Sequence, residues 1–346
     1  MKYFYFCKKT FAMKKYTLMI GGLILAVLMV VLSCNHEDPE IDEGSTTETV
    51  IGNYFTIDHA TLVQNPMPSP TVSEYFQMTM NDKIVPDGSS FVSLSSEVAA
   101  KKILVGMKNE LGYYEVVPQS TRDFEYSFSI HFNQNIPSGF TIQVAIVDEN
   151  DGISQIQETE LKLLMVGTGT LLQVSLSFDN EKDLDLHLIE PEYIDEYGYW
   201  ASFYSRHIYY GNRVSDNGGE LDMNSNEHCW LDYINNENIN YNDSTAWVAP
   251  GTYKVYVDLY QNCDPEIPTN YVVTVSYNGN VIASRAGVFQ VDAPSTYNPI
   301  DEYYVDDNEP FLSFTIDDRG QKKVKSFEPA PLTSRAIEKE ANAAHK

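Results

Sequence analysis

The side chains best suited to binding a cation lie in the second half of the chain. Asp183, Asp185 and His187 alternate with leucines. Alternate residues of a β-strand point to the same side, about 6.6 Å apart, so these three side chains should share one face while the leucines enter the core. Two carboxylates in one row repel each other unless a cation, an arginine or solvent compensates them. The pattern therefore predicts a candidate cation site, with simple solvation as the alternative.

A second polar segment follows about 35 residues later. Asp222, Asn224 and Asn226 occupy alternate positions, as the first three ligands of an EF-hand loop do, but Glu227 replaces the turn glycine. Hard oxygen donors suit Ca²⁺. We expect a calcium ion bound by some of Asp183, Asp185, Asp222, Asn224 and Asp232. Zinc through His187, His207 or His228 is the alternative, although these histidines lack the close spacing that is usual for zinc ligands.

The sequence offers little support for catalysis. No nucleophile elbow and no zinc-protease helix motif occurs. Paired carboxylates cleave glycosides when they flank a cleft about 5–9 Å apart, so an envelope hydrolase remains the alternative. We expect a protein without enzymatic activity.

An aromatic segment, residues 193–210, interrupts the strand pattern after the predicted strand Leu184–Ile189. Aromatic rings with polar tips are favoured at interfaces, where they stack on sugars or contact proteins. Tyr199, Trp200 and Tyr204 are the predicted ligand-binding residues. The alternative is a loop that folds back over the sheet.

The N-terminus indicates where the protein resides. Lysines precede an apolar run from Tyr16 to Leu32, and Ser33 and Cys34 follow it. This arrangement is typical of a secretory signal and resembles the lipobox of bacterial lipoproteins of the Bacteroidetes type. The resemblance implies a signal peptide at 1–33, a lipid bilayer anchor on Cys34, an acidic tether at 34–49, and an outer-membrane lipoprotein at the cell surface. An uncleaved membrane anchor is the alternative, and Met13 is an alternative start.

Charge and cysteine content narrow the partners. The chain has a net charge of −26, and removal of residues 1–33 takes away five of its 23 basic residues and none of its 49 acidic ones, which leaves −31. Such a surface repels phosphate backbones, so no nucleic-acid partner is expected. In an exported domain, Cys229 and Cys263 are candidates for a disulfide.

Strand patterns predict an all-β protein with two antiparallel β-sandwich domains in tandem. Residues 124–132 and 140–146 alternate in polarity, which predicts an immunoglobulin-like sandwich over residues 50–166 with His131 facing water. Residues 253–259 and 271–277 alternate likewise, and Asn278-Gly279 predicts a hairpin in a second sandwich over residues 171–318. Residues 319–346 are expected to form a flexible tail.

Five motifs of the second domain resemble, in order, the YfaP-like domains of exported bacterial proteins. They are Asp-Leu-Asp-Leu-His (183–187), Gly-Gly-Glu-Leu-Asp (218–222), Asn-Glu-Asn-Ile (236–239), Ala-Pro-Gly-Thr-Tyr (249–253) and Thr-Asn-Tyr-Val-Val (269–273). The resemblance covers about residues 171–290 and implies a β-sandwich. The Asp-Leu-Asp strand is also similar to calcium-binding domains of the TerD type. Together these features predict a surface binding or adhesion-type protein that recognises a glycan or an envelope protein, with a structural envelope component as a further alternative.

Overall fold

The computed structural model describes residues 50–118, 120–122, 124–164, 171–195, 197–241, 246–295 and 309–317. The predicted signal peptide, Cys34, the acidic tether and the C-terminal tail lie outside the described residues. Among the described residues, no helix is both long enough and apolar enough to cross a membrane.

Twenty strands and one four-residue α-helix make up the regular structure of the described residues. The elements are β1 (Phe55–Ile57), β2 (Thr61–Val63), β3 (Phe76–Met80), β4 (Lys83–Ile84), β5 (Ser89–Ser96), β6 (Ala100–Met107), β7 (Tyr113–Val116), β8 (Ser120–Arg122), β9 (Glu125–Phe132), β10 (Phe140–Asp148), β11 (Gln157–Leu163), β12 (Leu172–Phe178), β13 (Asp183–Ile189), α1 (Phe203–Arg206), β14 (His207–Ile208), β15 (Gly219–Met223), β16 (Asn236–Tyr241), β17 (Gly251–Gln261), β18 (Thr269–Tyr277), β19 (Asn280–Phe289) and β20 (Leu312–Ile316). Two 3₁₀ turns, Ile51–Asn53 and Glu227–Cys229, complete them. The prediction of an all-β fold is confirmed.

The first sandwich consists of two sheets with strand orders β1-β9-β5-β3 and β2-β7-β6-β10-β11-β4. Strand β8 pairs with β9, and the short strand β4 runs parallel to β11, whereas the other pairs are antiparallel. Alternate apolar side chains of β9 and β10, among them Ile130, Phe132, Ile142 and Val144, meet in one core. The period of two in the sequence therefore becomes the inner face of each sheet.

The second sandwich has sheets with strand orders β15-β16-β12-β18-β19 and β14-β13-β17-β20. Strands β18 and β19 form the predicted hairpin through Asn278 and Gly279, whose φ angles of 49° and 66° are positive as a two-residue turn of this type requires. The core of the second sandwich includes Leu184, Leu186 and Leu188 from β13.

The outer face of β12 and β18 packs against the β4–β5 region of the first sandwich through polar side chains. Thr274 Oγ1 donates to Ser89 Oγ at 2.5 Å, Gln173 Nε2 donates to the carbonyl of Pro86 at 2.6 Å, and Asn81 Nδ2 donates to Ser177 Oγ at 3.1 Å. These groups are buried, and the hydrogen bonds replace those that they would make with water. Both sandwiches belong to one compact unit of the chain.

This contact corrects the prediction for His131. Its side chain is buried, because the end of β9 lies where the second sandwich packs on the first. His131 Nδ1 is hydrogen-bonded to Ser89 Oγ at 2.6 Å, and Nε2 lies 3.0 Å from Asp58 Oδ2. The serine of this Asp-His-Ser series is itself buried and bonded to Thr274, so the series acts as an interface contact and not as an exposed nucleophile.

Candidate metal centre and exposed aromatic hairpin

Strand β13 is buried on both of its faces. Its three leucines lie in the core between the sheets, as predicted. Asp183, Asp185 and His187 share the opposite face, but they are only 2%, 3% and 0% exposed. Simple solvation of this row, the alternative considered from the sequence, does not agree with this burial. The carboxylates must therefore be compensated from within the protein or by a bound ion.

The aromatic segment that follows β13 supplies the cover of the row. The ring of Tyr209 stacks on His187 and His207, with centroid distances of 5.3 and 4.3 Å. Phe203 of α1 packs against a small apolar cluster of Ile189 and Tyr256 on the same face. This part of the aromatic segment folds back over the sheet, which is the alternative to ligand binding that was stated from the sequence.

Strand β17 places a third carboxylate opposite the row. Asp258 is the register partner of Asp185 in the antiparallel β13–β17 pair. One donor atom each of Asp185, His187 and Asp258 lie within 4.8 Å of one another, and all three residues are buried. The three form a compact group of two carboxylates and one imidazole.

Glu237 adds a fourth carboxylate from the facing sheet. Glu237 is buried on β16. It lies beside β13, where the short strand β14 pairs only with Leu188 and Ile189 and leaves the backbone edge before them unpaired. Its Oε2 accepts a hydrogen bond from the backbone N–H of Leu186 at 2.5 Å, and its Oε1 accepts one from the N–H of Ser225 at 3.4 Å. Glu237 therefore closes an open backbone edge and at the same time brings negative charge towards the row.

The electrostatics of the group are dominated by burial. Desolvation raises the pKa of Asp183 to about 6, and it raises the pKa of Asp185 and of Glu237 well above their ordinary values. The charges that act on Asp185, namely those of Asp183, Asp258 and Glu227, raise its pKa further. Burial lowers the pKa of His187 well below its ordinary value, so that ring is neutral at pH 7.

Two polar atoms of the group have no hydrogen-bond partner among the described residues. They are Oδ2 of Asp185 and Nε2 of His187, both buried. The other ring nitrogen of His187, Nδ1, lies 3.0 Å from Nε2 of His207. A buried polar atom without a partner costs about 1–3 kcal/mol, so these two atoms mark a place where a ligand would be stabilising.

The other predicted calcium ligands are engaged elsewhere. Asp222 accepts hydrogen bonds from Asn238 and Asn240 at 2.9 and 2.8 Å. Asp232 Oδ1 accepts from Ser225 Oγ and from the N–H of Ile234 at 2.7 and 2.8 Å.

Of the remaining three, Asn224 has a buried Oδ1 with no hydrogen-bond partner in the part of the chain that the structure describes, and Asp183 Oδ2 accepts from the N–H of His228 at 2.8 Å. Asp185 alone of the five belongs to the compact metal-ligand group found among the described residues. Sequence reasoning missed Asp258 and Glu237. The one available signal was the position of Asp258 on the polar face of an alternating strand.

The predicted disulfide is present and borders this region. Cys229 and Cys263 are bonded, with their Cα atoms 5.6 Å apart. The bond joins the 3₁₀ turn that contains His228 to the segment after β17. In the same place the ammonium group of Lys182 donates to Asn262 Oδ1 at 2.6 Å and to the carbonyl of Asp264.

The outer part of the aromatic segment forms a small exposed hairpin, of which residues 193–195 and 197–201 are described. The N–H groups of Tyr197 and Tyr199 donate to Asp195 Oδ1 at 2.9 and 2.8 Å, and Gly198 adopts the positive φ of 85° that the turn requires. The backbone N–H of Ala201 donates to the carbonyl of Tyr193 at 3.0 Å. The hairpin is therefore fixed by its own hydrogen bonds.

Four aromatic side chains of this region point into solvent. Tyr197, Tyr199, Trp200 and Tyr204 are 76%, 71%, 69% and 69% exposed. Tyr204 belongs to α1, which Ser202 caps by accepting from the N–H of Ser205. The three residues predicted to bind a ligand are therefore all exposed to solvent. We call Tyr197, Tyr199, Trp200 and Tyr204 the aromatic surface.

The fold and these features define an all-β protein of two packed sandwiches. No protein-family model matches the chain, and no curated protein matches it. The YfaP-like resemblance therefore rests on the sequence motifs alone.

Solved structures with similarity to the chain include the fibronectin(III)-like modules of CbhA from Clostridium thermocellum, at 9% identity over 68% of this chain and 93% of that chain, with a TM-score of 0.18. The S-layer protein rSbsC matches at 11% identity over 60% of this chain, which spans 40% of that protein's chain, with a TM-score of 0.19. At these TM-scores neither structure superposes as a whole on this chain. The all-β assignment rests on the strands of the chain itself.

Proposed function

We propose that the protein is a cell-surface recognition protein whose aromatic surface binds a glycan. The observation that carries the proposal is the exposure of four aromatic rings, three on a hairpin whose turn is fixed by hydrogen bonds to Asp195 and the fourth, Tyr204, on the adjoining helix α1. Large apolar side chains that are exposed close together in the chain favour a binding role. Tyrosine and tryptophan fit this role because their rings stack and their polar tips form hydrogen bonds.

The rigidity of the hairpin favours binding. Ordering a flexible loop on binding costs free energy, and a loop that is already ordered avoids that cost. The hairpin has a closed backbone and an Asx-type turn, so its rings are presented before a ligand arrives. A sugar ring has an apolar C–H face that stacks on an aromatic ring. A glycan is therefore the partner that we propose, and an envelope protein is the alternative outcome.

The location of the protein is part of the proposal. The lipobox-like Ser33-Cys34 junction and the acidic residues after it support a lipid-anchored protein displayed on the outer membrane. The lipid bilayer, contacted through Cys34, would then be a second partner. Radiolabelled palmitate incorporation that Cys34→Ser abolishes is the expected result. Incorporation that persists in this variant contradicts the anchor.

The hydrolase alternative requires carboxylates that reach a substrate. Asp183 and Asp185 are only 2% and 3% exposed, so they do not face a cleft that a substrate could enter. A glycosidase needs its two carboxylates on either side of a sugar in a cleft. Recognition therefore agrees better with the geometry than hydrolysis does.

The experiment is glycan-array binding by the purified protein, followed by titration of any sugar that binds. Trp200→Ala and Tyr199→Ala should each weaken binding at least about tenfold, since stacked aromatic residues dominate such interfaces. Tyr75→Ala is the matched control, because Tyr75 is a 61% exposed tyrosine of the first sandwich. Equal loss in the control contradicts the site. An array without binding, together with capture of an envelope protein that Trp200→Ala abolishes, replaces the glycan by a protein partner.

The calcium ion predicted from the sequence stays a prediction. Its oxygen donors would come from the acidic residues of the second sandwich. The melting temperature of the protein should then rise with Ca²⁺ and fall with a chelator selective for Ca²⁺. An unchanged melting temperature under both conditions contradicts a structural calcium ion.

A further inference from the structure

We propose that Asp185, His187 and Asp258 form a binding site for a divalent transition-metal ion, with Zn²⁺ as its representative. One donor atom of each residue lies within 4.8 Å of the others, between strands β13 and β17. The proposal concerns a different part of the second sandwich from the aromatic surface and does not depend on glycan binding.

The imidazole identifies the class of metal. Ca²⁺ is bound by six to eight oxygen atoms, whereas Zn²⁺ and its neighbours in the first transition row accept imidazole nitrogen together with carboxylate oxygen. His187 is fully buried, and its Nε2 has no hydrogen-bond partner among the described residues. A nitrogen donor of this kind next to two carboxylates favours a transition metal over calcium.

A second histidine provides the usual support for a metal-binding imidazole. His187 Nδ1 lies 3.0 Å from His207 Nε2, and Tyr209 stacks on both rings. When Nδ1–H of His187 donates to His207, the lone pair of His187 lies on Nε2, the atom without a partner. Metal-binding histidines are commonly fixed through their second nitrogen in this way.

The charge of the group also favours a cation. Within the described part of the chain, Asp185 Oδ2 is buried without a hydrogen-bond partner, and the charges of Asp183 and Asp258 act on Asp185. Buried like charges repel strongly because the interior screens them weakly. A divalent ion between Asp185 and Asp258 would replace that repulsion by attraction to both carboxylates.

The dimensions permit the site with a small movement. Zinc ligands lie about 2.0–2.2 Å from the metal, which places tetrahedral donor atoms roughly 3.4 Å apart. Donor atoms within 4.8 Å of one another would have to approach by at most about 1.4 Å to reach that separation. Asp185, His187 and Asp258 are all buried, and Tyr209 stacks on His187, so a metal ion bound here would be shielded from bulk solvent.

The test uses the untagged, chelator-treated protein, with Zn²⁺, Co²⁺ and Ca²⁺ added separately. We expect one Zn²⁺ per chain, a higher melting temperature with Zn²⁺, and a visible Co²⁺ spectrum typical of mixed nitrogen and oxygen donors. Asp185→Asn and Asp258→Asn should each lower Zn²⁺ affinity at least about tenfold. The metal-free Asp185→Asn protein should melt above the metal-free wild type, because the substitution removes a buried charge among like charges.

Glu190→Gln is the matched control, since Glu190 is a buried carboxyl of the same sandwich outside the group. It should keep the wild-type affinity for Zn²⁺. A melting temperature that responds to Ca²⁺ and not to Zn²⁺ overturns the transition-metal assignment. A Zn²⁺ response that survives Asp185→Asn, or no response to any of the three ions, overturns the site.

Discussion

Removal of the Cys229–Cys263 disulfide should destabilise the second sandwich by about 2–4 kcal/mol. The two cysteines are separated by 34 positions in the sequence. In the chain-entropy account, closing a loop of this length restricts the unfolded chain by about 4 kcal/mol at 25 °C. Part of this is offset in the folded state, because the bonded turn contains His228 and Cys229 at φ angles of 53° and 59°. Each non-glycine residue in this region costs roughly 1–2 kcal/mol, so a reduced turn that relaxes at one of the two leaves about 2–3 kcal/mol, and one that does not relax leaves about 4 kcal/mol.

The expected change is large enough to measure by thermal unfolding. One kcal/mol corresponds to about 2–4 °C for a protein of this size, so the melting temperature should fall by roughly 5–15 °C. The measurement compares circular-dichroism melts of the wild type with and without reductant, and of the double variant Cys229→Ser, Cys263→Ser. Reductant should leave the melting temperature of the double variant unchanged. If complete reduction, verified by thiol labelling, shifts the wild type by less than about 2 °C, the loop-closure reasoning is refuted.

Three further predictions concern packing, titration and the contact between the sandwiches. Gly219→Ala should lower the free energy of unfolding by about 1–3 kcal/mol in denaturant titrations, because a Cβ at this position would lie 2.4 Å from the Tyr241 ring. Gly139→Ala is the control: its Cβ would meet no described atom within 4 Å, so it should cost only about 1 kcal/mol for the positive φ. Burial raises the pKa of Glu190 above its ordinary value of 4.5. Its contribution to stability is therefore full below pH 4.5 and is lost as the pH rises through the folded-state pKa, which lowers the melting temperature. Glu190→Gln should make the melting temperature fall less between about pH 4 and 7 than it does in the wild type. Asn81→Ala removes hydrogen bonds to the second sandwich and should split calorimetric unfolding into two transitions; a single transition would show that the other contacts suffice.

The strands could be predicted from the sequence because their signals are local. Alternation of polar and apolar residues located β9, β10, β17 and β18 to within a few residues, and Asn278-Gly279 located the β18–β19 hairpin. Each of these signals is contained in about ten consecutive residues. Their physical basis, the period of two and the positive φ of a tight turn, does not depend on the rest of the chain.

The candidate metal centre could be predicted only in part because its residues meet through non-local pairing. Asp185 and His187 share a strand face, and the sequence indicated that face directly. Asp258 joins them through the register of β13 with β17, and Glu237 approaches from another sheet. Tyr209, whose ring covers His187 at one end of the row, lies more than twenty positions from Asp185. Register and cover are tertiary properties, and no local pattern specifies them.

The buried acidic row of β13 can be compensated in two ways, by protons on its carboxyl groups or by a bound metal ion, and the sequence alone does not distinguish them. Each carboxylate that is buried without a cation costs several kcal/mol, or else it takes up a proton. If protons alone compensate the group, Asp185→Asn should be neutral or stabilising under every condition, because a neutral amide replaces a neutral acid. If a metal compensates it, the same substitution should stabilise the chelated protein and destabilise the metal-loaded protein relative to wild type. The sign of the Asp185→Asn effect with and without Zn²⁺ therefore distinguishes a protonated cluster from a metal centre.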